Sequence, residues 1–244
     1  MKLIIKENYE ELSKETSKII ESQIREKKNS VLGLATGSSP LGAYKDLVRK
    51  FQEEGLTFKD IISFNLDEYI GLDKNNKSGY TYFMNEKFFK YIDIKRENTY
   101  IPNGMAEDPI RFGAEYDQTI LDKGGIDLQI LGVGSNGHIG FNEPAGRLSL
   151  GTTVVELTQG TIKDNSRFFD HVEDVPTKAI TMGIGNIMKA RKIILLVSGR
   201  HKSEILARIL NENSITTDIP ASLLLLHTDI TIICDKEAYS KVKD

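Results

Sequence analysis

Residues 132–144 read GVGSNGHIGFNEP and follow directly on the apolar run IDLQIL. They bring Asn136, His138, Asn142 and Glu143 into one short segment. A histidine and a carboxylate this close can pair, the acid orienting the imidazole and raising its pKa, which suits proton transfer near neutral pH. Gly132, Gly134 and Gly137 also spell G-x-G-x-x-G, with Glu156 downstream as the acid of a dinucleotide fingerprint. That reading needs a helix to start inside the motif and receive a pyrophosphate on its N-terminus. Gly140, Pro144, Gly146 and Gly151 follow instead and break a helix there. A nucleotide cofactor is therefore set aside. The glycines, Gly134 among them, are read as a loop whose backbone N–H groups come close to a ligand.

Three further stretches carry chemistry. Thr36-Gly37-Ser38-Ser39-Pro40 precedes a helical pattern, and hydroxyls with a glycine at a helix start make either an anion site or a plain N-cap. It lacks the Gly-Lys-Ser/Thr ending of a P-loop. Asp67-Glu68-Tyr69 places two carboxylates after IISFNL, either as solvated charges or with one of them a base. Arg200-His201-Lys202 sets cations after KIILLVSG, and Asn165-Ser166-Arg167 adds another in an irregular region. Together they suggest an anionic small molecule held by phosphate-type contacts while an acid and a histidine move protons. His138, His171, His201 and His227 share no short motif, so no zinc site is expected, and no G-x-S-x-G elbow is present.

Apart from Asn165-Ser166-Arg167, these residues follow short apolar runs. Strands are expected at KLIIK (2–6), SVLGLAT (30–36), IISFNLDEY (61–69), IDLQILGVG (126–134), KAITMGI (178–184), KIILLVSG (192–199) and DITIICD (229–235). Several are apolar throughout, as strands covered on both faces are. Helical patterns lie between them. Leu12, Thr16, Ile19, Ile20 and Ile24 form one stripe, and others span 41–54, 109–123 and 201–211. The alternation predicts a single-domain α/β fold over 1–244, a doubly wound, mostly parallel sheet with helices on both faces. In such sheets ligands bind outside the carboxyl ends of the strands, where four of these stretches fall. Residues 151–175 show the least regular pattern, and 158–175 is a candidate mobile lid.

Composition narrows the class. With 27% charged and 39% hydrophobic residues the 244-residue chain reads as an ordinary globular protein, and a net charge of −3 gives no reason to expect nucleic acid or a membrane surface as partner. The N-terminus MKLIIKENYEEL has no apolar core of a signal peptide, and no apolar run is long enough to span a bilayer. A single cysteine, Cys234 within ITIICD, reads as a buried core thiol in a reducing cytoplasm.

The motifs resemble those of the glucosamine-6-phosphate deaminase (isomerase) family. They are LATGSSP (34–40), SFNLDEYIGL (63–72), SGYTYFM (78–84), GVGSNGHIGFNEP (132–144), NSRFF (165–169) and LLVSGRHK (195–202), in family order and across most of the chain. FNLDEY with GHIGFNEP is the specific pair; related sugar-phosphate lactonases share a Gly-Thr/Ser loop and a Gly-His loop but not this pair. The resemblance implies a Rossmann-like fold of the sugar-phosphate isomerase/CoA-transferase type. It implies conversion of glucosamine 6-phosphate and water to fructose 6-phosphate and ammonia, with no metal and no cofactor. It also assigns roles. Asp67 is the base that moves a proton from carbon 2 to carbon 1. His138, oriented by Glu143 with Asn136 beside it, opens the sugar ring. Thr36, Gly37, Ser38, Ser39, Arg167 and Lys202 hold the phosphate. The assembly expected is a monomer or small homo-oligomer.

Two features depart from some members. Asn136 stands where those members carry aspartate, so His138 is expected to have a less elevated pKa than in them. GTTVVE (151–156) lacks the basic residues of allosteric hexamers, which predicts hyperbolic kinetics without activation by N-acetylglucosamine 6-phosphate. The alternatives are a galactosamine-6-phosphate deaminase, a 6-phosphogluconolactonase and a non-catalytic sugar-phosphate sensor.

Overall fold

The computed structural model describes residues 1–166, 169–212 and 214–243. In chain order the elements are β1 (Lys2–Lys6), α1 (Tyr9–Glu26), β2 (Val31–Leu34), α2 (Ser38–Glu54), β3 (Ile62–Asn65), β4 (Asp67–Tyr69), α3 (Tyr80–Lys87), β5 (Thr99–Tyr100), α4 (Pro109–Asp122) and β6 (Leu128–Gly132). There follow β7 (Thr153–Glu156), α5 (Gln159–Asn165), β8 (Lys178–Thr181), α6 (Ile184–Met188), β9 (Lys192–Val197), α7 (Ser203–Asn211), β10 (Ile230–Asp235) and α8 (Lys236–Tyr239).

Seven strands form one sheet in the order β1-β10-β9-β6-β2-β3-β5, with every neighbouring pair parallel. All-apolar strands are stable only when both faces are covered, and helices cover both. Leu12, Ile20 and Ile24 of α1, Tyr44 and Leu47 of α2 and Met84 of α3 pack with Leu32, Leu34, Leu128 and Ile130 on one face. Tyr116 and Ile120 of α4 and Ile205, Leu206 and Ile209 of α7 pack with Val31, Phe64, Leu131 and Leu195 on the other. This is the doubly wound α/β fold the pattern predicts. From β2 the chain winds outward through β3 to β5, then returns to β6 on the other side of β2 and winds the opposite way. The carboxyl ends of β2 and β6 therefore flank the point where the winding reverses, which is where such sheets open a crevice.

A second sheet, β4-β8-β7, is antiparallel and corrects three expectations. IISFNLDEY is not one strand: β3 ends at Asn65, and β4 pairs with β8 instead. Leu66 lies at the handover, its carbonyl accepting from Met182 N at 2.7 Å. KAITMGI contributes β8 to this small sheet rather than to the main one. The stretch 151–175 is more regular than its pattern suggests, because β7 pairs with β8 and α5 follows, capped by Thr158. α7 begins at Ser203 rather than at His201, with residues 200–202 forming a 3-10 turn. Tyr69, Phe141, Leu157, Ile162, Val175 and Ala179 make a separate apolar cluster beside β4 and β8.

Candidate active site

Four chain segments form most of one cavity of about 480 Å³, within the usual size of a small-molecule site, with α1, α3 and α5 adding to its wall. The first is the turn from β2 into α2. Gly37 takes φ +86°, a conformation that favours glycine, and no side chain caps the helix it begins. The first-turn N–H groups of α2 are thus available to an anion, reinforced by the helix dipole. Thr36, Gly37, Ser38 and Ser39 all line the cavity. Tyr9 braces the turn from α1, its hydroxyl donating to Ser38 O at 2.7 Å and accepting from Gly42 N at 2.8 Å.

The second segment is β4. Asp67 lines the cavity and is buried. Burial, with a smaller contribution from the neighbouring Glu68 charge, pushes its carboxyl up to about 8, far above an ordinary aspartate. Successive strand residues point to opposite faces, and Glu68 is occupied elsewhere. Its carboxylate accepts from Tyr69 N (3.0 Å), Tyr80 N (2.9 Å) and both the N–H and hydroxyl of Thr81 (2.8 Å each). It thereby holds the start of α3, whose Tyr80 lines the cavity. Gly140 takes φ +58° beside Asp67, where a Cβ would stand 3.2 Å from Asp67 Oδ2.

The third segment is the loop after β6. No helix forms there, which removes the context of a dinucleotide fingerprint. Gly134 has another function: a Cβ at this position would overlap the imidazole of His138. The loop closes on itself through Gly134 N to His138 O at 2.9 Å and Gly137 N to Gly134 O at 3.0 Å. Asn142 is buried and binds the carbonyls of Ile139 (3.0 Å) and Met182 (2.9 Å), so it fixes the loop and does not line the cavity.

His138 and Glu143 lie at ion-pair distance, as their spacing suggests, but do not hydrogen-bond directly. Their nearest atoms, Nδ1 and Oε2, stand 3.6 Å apart, and Asn136 is interposed. Asn136 Nδ2 donates to Glu143 Oε2 at 2.8 Å, while its Oδ1 faces His138 Nδ1 at 2.7 Å and His138 N at 3.1 Å. A carboxylate accepts only, so the amide must offer its NH2 to Glu143 and its carbonyl to the imidazole. Nδ1 therefore carries the ring proton, and Nε2 is left as the acceptor. Glu143 raises the proton affinity of His138, as its position suggests, but burial outweighs it and the net shift is downward; Lys202 adds to the lowering and Asp164 opposes it. The ring is neutral at pH 7, able to take a proton at Nε2.

The fourth segment follows β9. Asp235 at the end of β10 accepts from Ser198 Oγ and from Gly199 N (3.0 Å), fixing the turn that leads to Lys202. Ser198, Gly199, His201 and Lys202 line the cavity. From α5, Asp164 and Asn165 complete the wall. Among the residues read from sequence, Thr36–Ser39, Asp67, Gly134, His138 and Lys202 share this cavity, with Asn136 and Glu143 behind the imidazole. Arg167 lies outside the described residues. Tyr9, Tyr80 and Asp164 also line the cavity; of these only Tyr80 carries a signal in the sequence, within the tyrosine-rich SGYTYFM. Among the described residues, no three or more His, Cys, Asp or Glu side chains are grouped to hold a metal, and no helix is long and apolar enough to cross a membrane.

Residues 6–233 match the family described as glucosamine-6-phosphate isomerases/6-phosphogluconolactonase. The chain belongs to this family. Within it, the glucosamine-6-phosphate deaminase of Thermoanaerobacter pseudethanolicus is 53% identical over 100% of this chain and 96% of its own. That of Clostridium perfringens is 48% identical over 100% of both chains. A solved monomeric glucosamine-6-phosphate deaminase superposes with a TM-score of 0.96 at 44% identity, over 99% of this chain and 100% of its own. The family match thus takes in the site-bearing part of the main sheet and the small antiparallel sheet.

Proposed function

We propose that this chain converts glucosamine 6-phosphate and water to fructose 6-phosphate and ammonia. The observation that carries the reading is Asp67, a buried carboxylate with a proton affinity near neutral, sharing one cavity with a neutral imidazole and an anion-binding turn. A lactonase has no use for a base at carbon 2, and relatives at about half identity are named deaminases.

The phosphate lies against the N–H groups and hydroxyls of Thr36–Ser39, with Lys202 and, by resemblance, Arg167 supplying charge. His138 Nε2 takes the proton of the anomeric hydroxyl and returns it to the ring oxygen, opening the pyranose to the aldehyde. Asp67 then removes the carbon 2 proton, giving an enolamine, and delivers a proton to carbon 1. The resulting ketimine is hydrolysed by water, which releases ammonia and leaves the ketose. Each proton transfer is worth about 10²–10⁴ in rate. Phosphate contacts remote from the reacting carbons hold the open chain in register, so the dephosphorylated sugar loses rate as well as affinity. Residues 158–175 act as a lid over the sugar in this reading, supported by the position of Asp164 and Asn165 in the cavity wall. The enzyme works in the cytoplasm as a monomer or small homo-oligomer, on a small sugar phosphate and without nucleic acid.

The test is ammonia release by the purified protein from glucosamine 6-phosphate and galactosamine 6-phosphate, with 6-phosphogluconolactone hydrolysis alongside. Ammonia from the first sugar in preference to the second is expected. Preference for the second keeps the mechanism and changes the substrate. Lactone hydrolysis without ammonia, or binding without turnover, overturns the reading.

A further inference from the structure

Glu143 has a second partner that the ring-opening chemistry does not by itself require. Its Oε2 receives Asn136, and its Oε1 receives the hydroxyl of Thr161, a buried residue of α5. The direction of that contact is determined. Thr158 Oγ1 accepts from Thr161 N at 3.2 Å and donates its own proton to Thr161 Oγ1 at 3.2 Å. The Thr161 proton is thus left for the carboxylate. A continuous line runs Thr158, Thr161, Glu143, Asn136, His138, each member fixing the orientation of the next.

We infer that Thr161 is a positioning residue for ring opening: its hydroxyl, carried by α5, locks Glu143 so that Asn136 keeps its carbonyl on Nδ1 of His138. The inference rests on the proposed deaminase reaction and deepens it. Without Thr161, one oxygen of a buried carboxylate loses its donor, a costly state that the side chain relieves by turning away. Asn136 then loses one of the two partners that set which end of its amide faces the ring, keeping only the His138 N–H, and the imidazole is held less firmly with Nε2 as base. Because α5 also supplies Asp164 and Asn165 to the cavity wall, the helix that lines the cavity is the one that orients the ring-opening group.

Three proteins test this: wild type, Thr161→Val, which keeps the branched shape and loses the hydroxyl, and Thr161→Ser, which keeps the hydroxyl. Turnover of glucosamine 6-phosphate is compared with binding of 2-amino-2-deoxyglucitol 6-phosphate, an open-chain alditol with no ring to open. In Thr161→Val, kcat falls about ten- to hundredfold, the range for a lost hydrogen bond to a charged group, while the alditol binds within about twofold of wild type and Thr161→Ser recovers most of the rate. Unchanged kcat in Thr161→Val overturns the inference. So does alditol binding that weakens as much as turnover, since Thr161 then merely shapes the pocket. A 15N spectrum of the histidine ring gives a readout independent of activity. Wild type shows the Nδ1–H tautomer and Thr161→Val a mixture; identical spectra would sink the inference even if the wild type released no ammonia, a result that by itself fails only the proposed reaction.

Discussion

Replacing Asp67 with asparagine should abolish activity and yet stabilise the protein, by an amount that grows with pH. The side chain is buried, and its carboxyl is pushed from 3.8 up to about 8, first by burial and then by Glu68. Between those two values the folded protein holds a proton that the unfolded chain has released, so stability is lost as pH rises through that window. Each pH unit is worth about 1.4 kcal/mol, which makes the cost about 4 kcal/mol at pH 7 and between about 5 and 6 above pH 8. These figures are upper bounds, because Asp67 lines a cavity that admits water. Asparagine carries no charge and escapes the cost, whereas every other titrating group is common to both proteins and cancels. Urea unfolding of wild type and Asp67→Asn from pH 5 to pH 9 would measure the difference. It should widen steadily up to about pH 8 and then level off, with the variant melting several degrees higher at pH 8. A constant difference across the range would refute the assignment of a buried, proton-holding Asp67. The same proton must leave before Asp67 can act as a base, so wild-type kcat/KM should climb with pH towards about 8.

Other expectations concern the loop and the anion site. Asn136→Asp adds a charge beside Nδ1 and should raise the His138 pKa in an NMR titration, against a value now held down by burial; an unmoved titration would contradict the relay. Gly134→Ala places a methyl group where the imidazole sits and should lower kcat more than it raises KM, as steady-state kinetics would show. Lys202→Ala should raise KM for the phosphorylated sugar about tenfold or more, with competitive inhibition by inorganic phosphate weakened in parallel. GTTVVE at 151–156 carries no cation, so rate curves should be hyperbolic and unaffected by N-acetylglucosamine 6-phosphate; a sigmoidal curve relieved by that ligand would reverse this.

The strand ends were readable in the sequence because both signals there are local. Apolar runs mark the buried strands, and the residues just after them mark the crevice, so Thr36–Ser39, Asp67, His138 and Lys202 were found without knowledge of strand order. What could not be read depends on contacts across the chain. β4 is three residues long and begins with two carboxylates, so no alternation separates it from β3; its identity comes from pairing with β8, more than a hundred residues later. α3 lacks a clear apolar stripe, and its start is held by the Glu68 carboxylate from another element. The spacing of His138 and Glu143 foretells their approach to ion-pair distance, but not the bridge by Asn136 across a gap too long for a hydrogen bond, which depends on how the loop folds back. Tyr9 and Thr161 sit within helical segments where a hydroxyl ordinarily faces solvent or the helix itself, and nothing local distinguishes them.

The most direct test of the account is a product balance with glucosamine 6-phosphate as the sole substrate. Wild-type protein should yield ammonia and fructose 6-phosphate in equal amounts, and Asp67→Asn should yield neither while still binding the sugar phosphate. Equal products from both proteins would remove Asp67 as the base. A folded wild type that binds the sugar phosphate but forms neither product would contradict the account at its centre.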